Sequence, residues 1–325
     1  MNLPDLLKKM AGTRVLVIGD LMLDHYIWGD VHRISPEAPV PIIHAARDTW
    51  TAGGAANVAL NLANLGVQTS VLGHLADDEA GHRLAGILAE RKVHLIRPPV
   101  PGGTATIIKT RVLARSQQLC RIDREGAREA YRLDDTPGFA AQFEQSLTGT
   151  HAVILSDYAK GVVTQPLVDR LLAAATSTPG LLIAVDPKPS RRLLLPRAGL
   201  LTPNRSEALE LAGLPEPHPG EAYPLEEVCR RIHDAYHPHL LVITLGAGGM
   251  AICREGQVTE RLPTEAREVF DVSGAGDTVI ATLTAALAAG SDASAAARLA
   301  KAAAGTVVAH MGTVPVQYAE LQARL

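Results

Sequence analysis

The stretch AVILSDYAKGVVTQPLVDRLLAAATSTPGLLIAVDP, residues 152–187, reads as strand, helix, strand. Its outer runs, AVILSDY and LLIAVDP, are built of Val, Ile, Leu and Ala and end at an aspartate, with Ser156 just before it in the first. A run without polar alternation is buried on both faces, as a strand inside a parallel sheet must be. Between the runs, Pro166 stands near the start of a helix-length segment and Gly180 closes it. Alternation of strand and helix implies a parallel sheet covered on both faces.

The same punctuation recurs outward along the chain. RVLVIGD, TSVLGHL and LLVITLG are further buried-strand runs, and NVALNLANLG is a helix that stops at Gly66. The fold class expected is therefore α/β, with a central, mostly parallel sheet flanked by helices. Two stretches break the pattern with polar alternation: residues 25–45, HYIWGDVHRISPEAPVPIIHA, and residues 103–123, GTATIIKTRVLARSQQLCRID. They are expected to form a small antiparallel β-sheet standing off the main body, with Pro36, Pro39 and Pro41 at an edge or a strand start. GLPEPHPGEAYP, residues 213–224, reads as a surface loop.

Composition bounds the rest. The chain has 325 residues, 47% of them apolar but only 3% aromatic, so a sizeable core must be built of Leu, Val, Ile and Ala. A formal net charge of −3 without a basic block argues against a nucleic-acid partner. Three scattered cysteines, Cys120, Cys229 and Cys253, fit a reducing cytoplasm better than a disulfide frame or a zinc ribbon. No apolar run approaches the ~18 residues that a membrane span needs, so no membrane partner is expected.

In an open parallel sheet, ligands gather beyond the carboxyl ends of the strands. The polar residues ending these runs are Asp20, Asp24, Asp157, Lys160, Asp186, Lys188, Asn204 and Glu207. Near the end of the chain, DVSGAGD (residues 271–277) precedes a run of small apolar residues. Glycines at a helix start uncover N–H groups, and the helix dipole adds partial positive charge for an anion. Asp277 in the same turn would repel that anion unless a cation or a proton transfer is involved. Equally, Ser273 and Asp277 would serve as ordinary helix-start residues.

AGGAANVA (52–59) is a second glycine-rich helix start. Gly53 and Gly54 let a ligand approach the backbone, and Asn57 offers a donor and an acceptor to sugar hydroxyls. LGAGGMA (245–251) mimics a dinucleotide fingerprint but runs into a strand-like segment, so it reads as a glycine turn near a nucleotide. HDAYHPH (233–239) mimics a zinc motif, but Pro238 ends any helix there. The alternating basic run Lys109, Arg111, Arg115, Arg121, Arg124 is either a solvated face or a phosphate clamp.

Together, AGGAANVA, DVSGAGDTVIA and TPNRSEALEL resemble the signatures of the ribokinase-like (PfkB) carbohydrate kinases, over nearly the whole chain. RISPEAPVPI, KTRVLARSQQLCRID and LSDYAKGVVT are similar to the branch of that family acting on D-glycero-D-manno-heptose 7-phosphate. The resemblance implies one kinase domain over residues 1–325 whose small sheet is a lid, without a nucleotidyltransferase domain. It implies Asp277 as catalytic base and Gly274, Ala275 and Gly276 as its anion hole. Asp24, Gly53, Gly54, Asn57, Lys109, Arg111, Arg115, Asp157 and Lys160 fall to the sugar phosphate. Lys188, Asn204, Arg205, Ser206, Glu207, Thr244, Gly246, Gly248 and Ser273 fall to the nucleotide, with Glu207 acting indirectly on the metal.

ATP and Mg²⁺ are implied, a monovalent cation is left open, and a cytoplasmic homodimer joined through the lids is expected. One departure, Val272-Ser273 where many members carry threonines, keeps a hydroxyl at Ser273. The reaction implied is phosphorylation of the anomeric hydroxyl. The alternatives are another sugar kinase of this family and a non-catalytic sugar- or nucleotide-binding relative.

Overall fold

A computed structural model describes residues 2–98, 103–115, 117–264 and 272–325. Its strands are β1 (Arg14–Gly19), β2 (Leu21–Ile34), β3 (Pro41–Gly54), β4 (Gln68–Leu72), β5 (His94–Ile96), β6 (Ile107–Ala114), β7 (Gln117–Arg124), β8 (Ala152–Ser156), β9 (Leu182–Asp186), β10 (Leu200–Leu201), β11 (Leu241–Thr244), β12 (Met250–Arg254) and β13 (Gln257–Leu262). Its helices are α1 (Leu3–Met10), α2 (Ala55–Asn64), α3 (Glu79–Glu90), α4 (Phe139–Leu147), α5 (Gln165–Ser177), α6 (Arg205–Ala212), α7 (Leu225–Tyr236), α8 (Ala275–Ala288), α9 (Ala293–Val307) and α10 (Tyr318–Arg324).

A nine-stranded sheet carries the order β13-β12-β11-β10-β9-β8-β1-β4-β5. From β5 to β11 every pairing is parallel; β12 and β13 add an antiparallel margin. Because side chains alternate along a strand, β1 sends Val15 and Val17 to one core and Leu16 and Ile18 to the other. The first core packs against α1, α2, α3, α8, α9 and α10; the second holds α4, α5, α6 and α7. The expected α/β sheet covered on both faces is thus present. β8, α5 and β9 form the strand–helix–strand unit read first, with Ala152 in register with Leu182.

The two exceptional stretches build a separate four-stranded sheet, β3-β2-β6-β7. It is mixed, not all antiparallel: β2 and β6 run parallel, with Asp24 beside Lys109 and Tyr26 beside Arg111. The reason is connectivity. The chain leaves β3 for the main body and returns through α3 and β5, so β6 enters from the same end as β2. The β2–β3 ribbon also reaches further inward than its polar segment suggests, down to the pair Leu21–Gly54 at the main sheet.

The three cysteines are not all scattered in space: Cys229 on α7 and Cys253 on β12 pair in the second core, with Cα atoms 6.3 Å apart. Their separation of 24 residues hid a proximity that only the packing of α7 on the sheet creates. Cys120 remains a free thiol, exposed on β7. Among the described residues no helix is long and apolar enough to cross a membrane.

Candidate active site

Asp277 lies in the first turn of α8 and is only 4% exposed. Gly274, at the N-cap, adopts φ +78°, and a Cβ there would stand 2.8 Å from the Asn57 amide nitrogen. Glycine is thus required twice over, by conformation and by the close approach of α2. At Gly276 a Cβ would meet nothing within 4 Å among the described residues. The Ala275 N–H is engaged in a turn bond to the Val272 carbonyl at 3.2 Å. The next two N–H groups, of Gly276 and Asp277, have no acceptor among the described residues, as is usual for first-turn donors of a helix. Asp271 of the DVSGAGD motif lies outside the described residues.

Both oxygens of Asp277 are held. Asn57, in the first turn of α2, donates from Nδ2 to Oδ2 at 2.7 Å, and the Tyr158 hydroxyl donates to Oδ1 at 2.6 Å. Burial raises the carboxyl to about 6; the two hydrogen bonds and Lys109 pull it down, while Asp24 pushes it up. Asn57 is itself locked. Asn61 donates to its carbonyl at 2.9 Å, and the Asn61 oxygen accepts from the Thr278 hydroxyl at 2.8 Å and the Val316 N–H at 2.9 Å. That buried network ties α2, α8 and the C-terminal segment together.

Asp24, on β2, forms a 2.6 Å ion pair with Arg111 of β6 and accepts from the Thr313 hydroxyl at 3.1 Å. Tyr26, two residues on and therefore on the same face, hydrogen-bonds Thr313 and lies 5.2 Å beneath the Arg111 guanidinium. Gly53 backs Asp24 closely, since a Cβ there would fall 2.7 Å from Oδ2. Gly54, at φ +57°, turns the chain from β3 into α2. Lys109 lies 5.5 Å from the Tyr158 ring centroid, and burial lowers its ammonium. Lys160 is held by Glu125 at 2.6 Å.

Two expected sugar-side residues differ in surroundings: Arg115 lies far along the small sheet, while Asp157 lies beside Lys188 and within reach of the Asp186 charge. Arg115 occupies the β6–β7 turn, 81% exposed and 3.6 Å from Asp30. Asp30 is six residues along β2 from Asp24, about 20 Å at the usual rise of a strand. Asp157 faces a cavity of about 20 Å³, room for one water, bordered by Val163, Val185, Pro189 and Tyr236. Among the described residues its Oδ2 has no hydrogen-bond partner, and burial together with the nearby Asp20 raises the carboxyl to about 7. Asp20 serves the backbone. It accepts the N–H groups of Tyr158, Lys160 and Val162 at 2.9–3.0 Å and so shapes the loop after β8.

On the other half of the site, Asn204 and Glu207 close a capping box at the start of α6, and Lys188 pairs with Glu207 at 3.0 Å. Ser206 hydrogen-bonds the Asn204 oxygen at 3.1 Å, and Arg205 stacks 5.0 Å from the Tyr223 ring. Thr244 bridges Asn204 as a parallel partner, which brings the 3-10 turn Gly246–Gly248 alongside. Ser273 precedes Gly274 in the turn before α8. Asp186 links the halves. Burial first, then the charges of Glu207 and Asp277, raise its carboxyl well above the ordinary range.

Among the described residues no cluster of three or more His, Cys, Asp or Glu side chains would hold a metal ion. A pair of oxygen donors whose charges repel, such as Asp186 and Glu207, nevertheless suits Mg²⁺, which keeps most of its water and shares its ligands with phosphates. A cavity of about 720 Å³ lies at the opposite edge of the sheet, bordered by Arg14, Gln68, His94 and Gln142. It lies at the strands' amino ends, away from the chemistry just described.

Three contributors were missed in the sequence: Tyr158, Thr313 and Tyr26. Tyr158 stands between Asp157 and Lys160 at a strand end, which was signal enough. Tyr26 shares a face with Asp24. Nothing local marks Thr313, which reaches Asp24 across 289 positions.

A model of the pfkB family carbohydrate kinases matches residues 12–318. The bifunctional protein HldE of Desulfatibacillum aliphaticivorans is 41% identical over 97% of this chain, which spans 63% of that relative's length. Phosphofructokinase-2 from Escherichia coli, solved with substrates and products, superposes with a TM-score of 0.76 at 19% identity, covering 96% of this chain and 97% of its own. Ribokinase of Arabidopsis thaliana, solved with ribose and ATP, gives a TM-score of 0.73 at 21% identity, covering 96% and 98%.

Proposed function

Because the chain belongs to the pfkB family of carbohydrate kinases, we propose that it transfers the γ-phosphate of ATP to the anomeric hydroxyl of a heptose 7-phosphate, giving the 1,7-bisphosphate. The observation that carries this is the Asp277 carboxylate, buried and held on both oxygens at a helix start whose next N–H donors have no acceptor among the described residues. Phosphoryl transfer asks mainly for positioning and for stabilisation of charge. Asp277 accepts the hydroxyl proton. The Gly276 and Asp277 N–H groups, at the positive end of α8, face the transferring phosphate.

Asp24, fixed by Arg111 and Thr313, accepts from a sugar hydroxyl, while Lys109 and Lys160 meet the distal phosphate. Lys188, Asn204 and Thr244 flank the nucleotide. Asp186 and Glu207 would hold Mg²⁺, which supplies charge neutralisation at the phosphates. The heptose 7-phosphate assignment is supported by the branch-specific stretches RISPEAPVPI and LSDYAKGVVT and by the 41% identity to HldE.

The experiment is ADP release with ATP and Mg²⁺ over a panel of sugars and sugar phosphates. Heptose 7-phosphate should exceed every other acceptor in kcat/KM; a higher value for ribose or a fructose phosphate moves the assignment to another branch. The small sheet leaves Ile34, Val40 and Ile122 at least half exposed, at 60%, 51% and 52%. Such apolar surface on an open sheet supports a homodimer through the lids. Light scattering should return twice the mass of the chain.

A further inference from the structure

We infer that Tyr158 is the positioning residue of the proposed base: its hydroxyl, with the Asn57 amide, fixes the Asp277 carboxylate in a single orientation. This rests on Asp277 being the base. The two donors come from different elements and grip different oxygens, Tyr158 on Oδ1 at 2.6 Å and Asn57 on Oδ2 at 2.7 Å. A carboxylate held at one oxygen still swings about its last bond; held at both, it does not. Each oxygen keeps a second lone pair free to accept a proton.

Tyr158 is also held where it must be. Its N–H and those of Lys160 and Val162 converge on the buried Asp20 carboxylate. Lys109 lies over its ring. Burial, together with the Asp277 and Asp186 charges, keeps the phenol far above its ordinary range, so it remains a donor throughout the working pH. The charged groups facing Asp277 are Asp24, Lys109 and Asp186. Among the described residues none of these three hydrogen-bonds its oxygens, so Tyr158 and Asn57 set its direction.

The test is the single-turnover rate against pH for wild type, Tyr158→Phe and a protein carrying 3-fluorotyrosine at position 158, with Asp277→Asn alongside. Loss of the hydroxyl should slow the step roughly 10–100-fold, the worth of one hydrogen bond to a charged group. It should move the acid limb upward by about one pH unit, because a donor that favours the ionised form has gone. Fluorotyrosine, a stronger donor of nearly the same shape, should move the limb downward. KM for ATP should stay near wild type, and the melting temperature should fall by no more than the few degrees that one buried hydrogen bond to a charged group is worth.

An unchanged rate and acid limb in both substituted proteins, with Asp277→Asn inactive, would overturn the role of Tyr158 and leave the base intact. A Tyr158→Phe protein that melts early while its acid limb and the fluorotyrosine limb stay in place would reduce Tyr158 to a packing residue. An active Asp277→Asn would instead remove the base itself.

Discussion

The Asn57 amide nitrogen, in the first turn of α2, lies 2.7 Å from the Asp277 carboxylate, in the first turn of α8, and 220 positions separate the two in the chain. Two glycine-rich helix starts that look independent in the sequence are therefore two walls of one site. Gly274 exists to let them meet.

Asn57→Ser removes the amide that donates to Asp277 and the 3.4 Å contact from Asn61 to the Asn57 side-chain oxygen, while the Asn61 bond to the Asn57 backbone carbonyl stays. Losing a buried hydrogen bond to a charged group should cost about 1.5–3 kcal/mol. The transition in urea should shift to lower concentration, and single-turnover phosphorylation should slow at least 10-fold. Both are measurable on one preparation, and normal turnover would detach Asn57 from the base.

Asp157 provides a test through pH. Burial and Asp20 raise its folded value to about 7, above the value near 4 that an unfolded chain has. The folded protein thus binds a proton that the unfolded chain has lost. The contribution of this group to stability is highest below about pH 4 and falls as pH rises through about 7. Asp157→Asn should abolish that dependence. Its melting temperature should exceed wild type by several degrees at pH 8, with little difference at pH 4, read by scanning calorimetry.

Lys109 and Arg115 separate a phosphate clamp from a solvated basic stripe. Lys109 lies against Tyr158 at the site, whereas Arg115 is 81% exposed at the hairpin tip beside Asp30. Lys109→Met should raise KM for the sugar phosphate by roughly 10-fold or more, the worth of a charge-assisted contact. The KM for the unphosphorylated sugar should change far less, so the ratio of the two acceptors carries the test. Arg115→Ala should leave both constants within about twofold of wild type, as exposed pairs contribute little. Steady-state kinetics with the two acceptors decides it.

Much of this was legible beforehand because burial writes itself into sequence. Strands such as β1, β8 and β9 are apolar on both faces, and their two cores follow from alternation alone. The glycine turn before Asp277 was legible because φ +78° admits few other residues. What the sequence could not reveal were partnerships set by topology. The parallel pairing of β2 with β6 depends on the return path through α3 and β5. The meeting of Cys229 with Cys253 depends on how α7 settles on the sheet, and Thr313 touches Asp24 only because the C-terminal segment crosses the small sheet. The basic run was legible as a run; which members face the site depends on the strand's register, and that puts Lys109 and Arg111 beside Asp24 and Tyr26 and leaves Arg115 in the turn.

The central claim is that Asp277 takes the proton. Its most direct test is the single-turnover rate of Asp277→Asn with ATP, Mg²⁺ and heptose 7-phosphate, beside ATP affinity measured separately. A positioned general base contributes about 10²–10⁴-fold, so the rate should fall by that factor while ATP binds as in wild type. A variant that keeps most of its rate but loses roughly 1 kcal/mol of stability, as removal of a helix-start charge would produce, would contradict the account and leave Asp277 a structural residue.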